Sequence, residues 1–310
     1  MRISTNVGIG IDRPRTLDET VAEVRRAADL GLDGAWWAER RTFDALTAVT
    51  VAGLAVPDLP LGTAVVTTYP RHPLALAGQA LSVQAAIGNR LTLGIGPGHR
   101  QHVEASLGLS FERPAQHTRE YLSSLMPLLR GEQVEFRGDV HHVVGQVPTP
   151  GAQPPSVLLA ALGPVMLRIA GELADGTVAI WTGVRTVATH ITPRVTAAAD
   201  AAGRPAPRVL VNLPIAVTDD PAGTRNRIAA HFAGVGMVPR YRALLEMEGA
   251  GGGADVATVG AEREVEKELR RFADASATEF IAVPFGSPDQ VARTLAFLGH
   301  LTGTAGRASS

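Results

Sequence analysis

Short, nearly unbroken apolar runs alternate with helix-patterned stretches along almost the whole of this chain, and few architectures can absorb such a rhythm. The runs lie near residues 7, 35, 63, 92, 158, 178, 210 and 281. They lack the every-second-residue polarity of a sheet with one wet face, so they read as parallel strands covered on both sides. Eight strands, each followed by a helix, fit a closed α/β barrel, the (β/α)8 TIM barrel, better than an open sheet. Local signals agree. Thr16 and Glu19 form a capping box at the start of the first helix, Gly31 ends it, and Ser287-Pro-Asp-Gln290 opens the last one. The first strand is expected over Val7 to Ile11. A length of 310 residues suits two ordinary domains equally well, but the strand count favours one barrel over residues 1–302. Insertions are expected near 100–155 and 235–258, with a flexible tail over 303–310. The first insertion carries a helix near Thr118 to Leu129 and a hairpin-like stretch. The second carries Gly249 to Gly253, readable as a lid or as a plain solvent loop.

Composition removes several kinds of chemistry. The net charge is −1, which gives no electrostatic case for nucleic acid or an anionic membrane. There is no cysteine, hence no disulfide, thiol nucleophile or thiolate metal site. Lys267 is the only lysine, so a Walker-A loop is absent and Schiff-base chemistry is disfavoured. No GxSxG elbow occurs, and Gly94-Ile-Gly-Pro-Gly98 lacks the third glycine of a dinucleotide loop. His99-x-x-His102-x-Glu104 has the spacing of a two-imidazole site but not a tighter zinc signature, so no metal is assigned. With no signal-like N-terminus and no long apolar run, a soluble, cytoplasmic protein is expected.

In a barrel of this kind the site is built at the carboxyl ends of the strands. The polar and aromatic residues expected there are Asp12, Trp37, Glu39, Arg40, Thr67, Arg71, His72, His99, Gly163, Trp181, Thr182, Asn212 and Ser287. His72 is stiffened by Pro70 and Pro73, and His99 follows a glycine-rich turn; either is a candidate acid or base. Trp36 and Trp37 point to opposite faces of one strand, so at most one enters the site.

Five segments together resemble the luciferase-like monooxygenase superfamily, in particular its coenzyme F420-dependent branch. They are Gly34-Ala-Trp-Trp-Ala-Glu39, Leu61-Gly-Thr-Ala-Val-Val-Thr67, Asn89-Arg-Leu-Thr-Leu-Gly-Ile-Gly-Pro-Gly98, Ala160-Ala-Leu-Gly-Pro164 and Ala174-Asp-Gly-Thr177. The resemblance implies a bacterial-luciferase-like barrel and F420 as cofactor, with FMN the alternative. It also implies a non-proline cis peptide near Ala64-Val65 behind the ring, with Thr63 and Thr67 beside it. The turn Gly96-Pro-Gly98 would flank the ring, Leu162-Gly163-Pro164-Val165 would receive the cofactor phosphate, and Trp37 and Trp181 would wall the substrate cavity. Where many members carry an acidic residue followed by histidine after the second strand, this chain has Glu39-Arg40. Proton transfer would then fall to Glu39, His72 or His99, while Arg40 could bind an anion. A hydride-transferring oxidoreductase acting on a small-molecule substrate, a reduced-FMN monooxygenase and a non-catalytic flavin-binding barrel are the three readings. The resemblance further implies a homodimer packed through barrel helices.

Overall fold

In the computed structural model, residues 1–8, 14–39 and 43–307 are described, with side chains described through Gly303. Asp12 and Arg40, singled out from the sequence, lie outside them. The strands are β1 (Arg2–Val7), β2 (Ala35–Trp37), β3 (Leu61–Thr63), β4 (Val66–Thr67), β5 (Leu91–Gly96), β6 (Val134–Arg137), β7 (His142–Gly145), β8 (Ser156–Leu159), β9 (Gly176–Ile180), β10 (Arg208–Val217), β11 (Thr258–Gly260) and β12 (Glu279–Pro284). The helices are α1 (Leu17–Asp29), α2 (Ala45–Ala55), α3 (Pro73–Ala86), α4 (Arg100–Ala105), α5 (Pro114–Leu129), α6 (Pro164–Leu173), α7 (Val184–Thr186), α8 (Thr192–Ala201), α9 (Pro221–His231), α10 (Pro239–Glu248), α11 (Glu262–Asp274) and α12 (Pro288–Arg307).

Parallel pairing runs β1–β2–β3–β5–β8–β9–β10–β12 and returns to β1, closing an eight-stranded (β/α)8 barrel. The short strand β4 continues β3 beside the end of β5, and β11 pairs with the outer end of β10 over Ile215 to Val217. The first strand starts earlier than its apolar run suggests. It spans Arg2–Val7 because Ser4 registers with Ile281 of β12 and Val7 with Trp37 of β2, a long-range requirement that the local sequence does not carry. Between β5 and β8 the chain adds α4, α5 and the antiparallel β6–β7 hairpin. Between β10 and β12 it adds α9, a 3₁₀ turn at Ala233–Met237, α10, β11 and α11. Helix α12 runs on to Arg307, past Gly303 where the sequence suggests a tail. Both capping boxes form: Glu19 N donates to Thr16 Oγ1 while Thr16 N donates to Glu19 Oε2, and Ser287 with Gln290 repeats the pattern.

Two apolar layers follow from the strand period of two. One lies between strands and helices and includes Leu93, Ile95, Leu159, Val211 and Phe280. The other fills the barrel with Trp36, Leu158, Val178, Leu210 and Ile281, against which Ala64 and Val65 pack. Each fully buried aliphatic side chain contributes about 2 kcal/mol relative to exposure. At the amino end of the barrel the interior turns polar. Glu279, 1% exposed, accepts from Ser4 Oγ (2.6 Å), Trp36 Nε1 (2.8 Å) and Arg208 Nη2 (3.0 Å). That cluster closes the floor; the opposite end, where the strands finish, is the mouth of the barrel. No helix among the described residues is long and apolar enough to cross a membrane.

Candidate active site

At the mouth, the Ala64–Val65 peptide is cis and separates β3 from β4. The neighbouring strands hold this segment from both sides. Ala64 N donates to Trp37 O (2.6 Å) and Glu39 N to Val65 O (3.3 Å). Thr63 Oγ1 donates to Gly94 O (2.8 Å) and accepts from Gly94 N (2.9 Å). Gly94 is required sterically, since a Cβ there would lie 1.9 Å from the Thr63 carbonyl oxygen. Gly96, two residues on, leaves open the space between Val65 and Ala160, and Gly98 abuts Thr67. The result is a wall of backbone and small side chains at the ends of β3 to β5.

Glu39 has a different duty from the proton transfer suggested by the sequence. Its carboxylate takes both nitrogens of the Arg71 guanidinium (2.6 and 3.0 Å) and the Thr67 backbone N–H (2.7 Å). Arg71 also reaches Asp44 (2.5 Å), the N-cap residue of α2. Burial opposes the Arg71 charge, but the bonds from Glu39 and Asp44 outweigh it and raise the guanidinium pKa further. The group best placed in this network to hold β4 is therefore Glu39, acting as a positioning residue. His72 is likewise occupied: Nδ1 accepts from Leu74 N (3.3 Å) as the N-cap of α3, and Nε2–H donates to His142 O (3.0 Å). A ring with both nitrogens engaged by backbone is a structural cap, which removes it from the acid–base candidates.

His99 differs. It precedes α4 without capping it, and its Nε2 lies 3.3 Å from Tyr241 Oη of α10, with the rings edge to face at 5.6 Å. Desolvation, and then the charge of His102, lower its pKa, so the neutral ring predominates near pH 7. Burial pushes the Tyr241 phenol up to about 12, which makes it the donor and His99 Nε2 the acceptor. Tyr241 had no local signal in the sequence; only the fold of the second insertion brings it to His99.

The loop before α6 ends in a glycine N-cap, a helix start whose backbone N–H groups favour an anion. Gly163 is the N-cap without a side-chain bond, Pro164 occupies the first turn, and Leu162 O accepts from His190 Nε2 (2.8 Å). Val165, 47% exposed, faces out from the same turn. The Arg240 guanidinium lies against Gly163: a Cβ there would be 2.1 Å from Nη1. Among the described residues Arg240 has no hydrogen-bond or ion-pair partner, so backbone amides, a helix N-terminus and a free guanidinium converge. Arg240, like Tyr241, was missed in the sequence.

The tryptophans divide. Trp36 enters the barrel, whereas Trp37 joins the layer outside it and packs below Gly8, so the substrate-wall role suggested for Trp37 does not hold. Trp181, with φ of 57°, packs edge to face on Phe232 (4.9 Å) and lies under Gly253 of the glycine loop. That loop is held in turn by Asp255, whose Oδ2 accepts from Gly251 N and Gly252 N (2.8 and 3.0 Å). Asn6, Thr182 and Asn212 are buried near the mouth with side-chain atoms that find no partner. Among the described residues no group of three or more His, Asp or Glu side chains is arranged to hold a metal ion.

The closed eight-stranded parallel barrel, with helices between its strands, defines the chain as a (β/α)8-barrel protein. Residues 1–304 match the family model described as luciferase-like monooxygenase, and the chain belongs to that family. Among curated relatives it is 31% identical over 151 residues to a 5,10-methylenetetrahydromethanopterin reductase of Methanolobus tindarius, an alignment covering 48% of this chain and 46% of the relative. The chain thus spans about half the length of the curated relatives it matches. Among solved structures, a coenzyme F420-dependent tetrahydromethanopterin reductase from Methanopyrus kandleri superposes with a TM-score of 0.76 at 18% identity, over 96% of this chain and 97% of that one. The EDTA monooxygenase of Chelativorans sp. BNC1 superposes with a TM-score of 0.79 at 17% identity, over 99% and 94%. At such identities these two likenesses describe the fold alone.

Proposed function

We propose that the protein is an F420-dependent oxidoreductase that transfers hydride between the deazaflavin and a small organic substrate. The observation that carries this reading is the sequence relationship to methylenetetrahydromethanopterin reductases, which lies above the level of mere fold likeness. The residues at the mouth fit such a group. Ala64 and Val65, seated over Gly94 and Gly96, would back a flat ring, with Thr63 and Thr67 beside it, and Leu162 to Val165 with Arg240 would take its phosphate. When bound, the deazaflavin supplies a carbon that donates or accepts hydride, and the protein supplies orientation and exclusion of water. Glu39 and Arg71 hold β4 in place. His99, its ring oriented by the hydrogen bond that Nε2 accepts from Tyr241 Oη–H, is the group at the mouth that handles the accompanying proton.

FMN shares the ring and the phosphate, and the family's own description supports a monooxygenase as the second reading. Titration of the purified protein with each cofactor separates the two: micromolar affinity for F420 with none for FMN is expected, and the reverse result overturns the proposal. Single-turnover hydride transfer checks the proton relay. His99→Ala and Tyr241→Phe are both expected to slow it at least tenfold, and wild-type rates in both would exclude His99 from the step.

A further inference from the structure

Asn6 and Asn212 stand out against the rest of the barrel lining. Ser4, Arg208 and Glu279 are joined by hydrogen bonds across the barrel floor and therefore face inward. With the strand period of two, Asn6 on β1 and Asn212 on β10 face the same interior, nearer the mouth. Their strands flank β12 on either side. In the cyclic strand order β12 lies opposite β5, so the asparagines stand across the barrel from Gly94 and Gly96, over which Val65 packs. Asn6 is 7% and Asn212 3% exposed, yet neither polar atom of Asn6, nor Asn212 Oδ1, has a partner. Buried amides in native proteins are almost always bonded, because leaving them desolvated and unpaired is costly. Leucine would fill the same volume without that cost, and Leu158, Val178 and Leu210 do so deeper in the barrel. The nearest inward-facing charges, Arg208 and Glu279, neutralise one another at the floor.

We propose that Asn6 and Asn212 form a substrate-recognising wall at the mouth of the barrel, and that they select an uncharged carbonyl or hydroxyl group carried on an apolar skeleton. A carboxamide both donates and accepts, so one wall serves the ketone and alcohol forms alike: its N–H groups bond a carbonyl oxygen, and its oxygen accepts from a hydroxyl. An anionic head group finds no countercharge there and would be desolvated without compensation. The inference rests on the deazaflavin reading only for what lies against the opposite wall.

The test uses Asn6→Leu and Asn212→Leu with three readouts. In the cofactor-free protein, removing unpaired amides is expected to leave the melting temperature unchanged or raise it by about 2 °C. F420 affinity, read by fluorescence quenching, is expected to stay within twofold. With F420 bound, saturable thermal stabilisation by cyclohexanone is expected in the wild type in preference to cyclohexanecarboxylate, and to need at least tenfold more ligand in each variant. A fall in melting temperature in both variants would mean that the amides are already satisfied, which overturns the proposal. So would cyclohexanone binding at wild-type strength in both variants, no binding of cyclohexanone to the wild type, or a preference for the carboxylate. Failure of the wild type to bind F420 would defeat the functional reading instead, and the cofactor-free melting comparison would still decide the asparagines.

Discussion

Acidification from pH 7 to pH 5 should cost this protein stability chiefly through His117. Its ring is 4% exposed on α5 and stacks on Tyr69 at 3.9 Å. Nε2 bonds Thr68 Oγ1 (2.9 Å) and Nδ1 bonds His141 Nε2 (3.1 Å). Burial, and then the neighbouring His141, hold the pKa down at about 4, with Glu120 acting weakly the other way. The unfolded chain, with an ordinary histidine near 6.5, therefore takes up the proton first. The stability contribution of the neutral ring is complete above about pH 6.5 and is lost as pH falls toward 4. Linkage over that interval gives a loss of about 2 kcal/mol between pH 7 and pH 5, and about 3 kcal/mol once both states are protonated. His141, also lowered by burial, changes in the same direction, whereas the Glu120 carboxyl is lowered from 4.5 and titrates below the window. Urea unfolding of wild type and His117→Gln at both pH values isolates the term. The wild type should lose about 2 kcal/mol more than the variant. Equal losses within about 0.5 kcal/mol would show that His117 is not held neutral by its surroundings, and the reasoning from burial would fail.

Other consequences can be checked in parallel. Glu39→Gln leaves the partly buried Arg71 with Asp44 as its one carboxylate; it should lower unfolding free energy by about 2 kcal/mol and weaken cofactor binding through β4, both measurable by urea titration and fluorescence. Gly94→Ala forces a Cβ into the Thr63 carbonyl and should cost about 3 kcal/mol or prevent folding, visible as lost soluble yield or a lowered melting temperature. Arg240→Ala should weaken F420 about tenfold and flatten the salt dependence of its affinity; unchanged affinity at low salt would remove Arg240 from the phosphate site. Glu279→Leu strips the barrel floor of the acceptor shared by Ser4, Trp36 and Arg208, and should destabilise by about 3 kcal/mol in a urea melt.

What the sequence reveals of this molecule divides along the range of the interactions involved. Thr16–Glu19 and Ser287–Gln290 are readable because each capping box is complete within four residues. The strands are readable because burial on both faces leaves a continuous apolar run, and Gly163 because a glycine before Pro164 marks a helix start on its own. Facing is another matter. Adjacent Trp36 and Trp37 differ only in which side of the sheet they take, and that is set by the pairing of β2 with β1 and β3, not by the dipeptide. The ends of β1 are fixed by register with β12, at the opposite end of the chain. Roles are more distant still. Glu39 looks like an acid until Arg71 and Thr67 are seen to occupy its oxygens, and Arg240 and Tyr241 look like ordinary residues of a surface helix until that helix is folded over Gly163 and His99. An asparagine on a strand is unremarkable in one dimension. It becomes a statement about the ligand only when closure of the barrel turns Asn6 and Asn212 toward the mouth and leaves the Asn6 amide and Asn212 Oδ1 without partners, because an unpaired buried dipole is a cost that the fold alone gives no reason to keep.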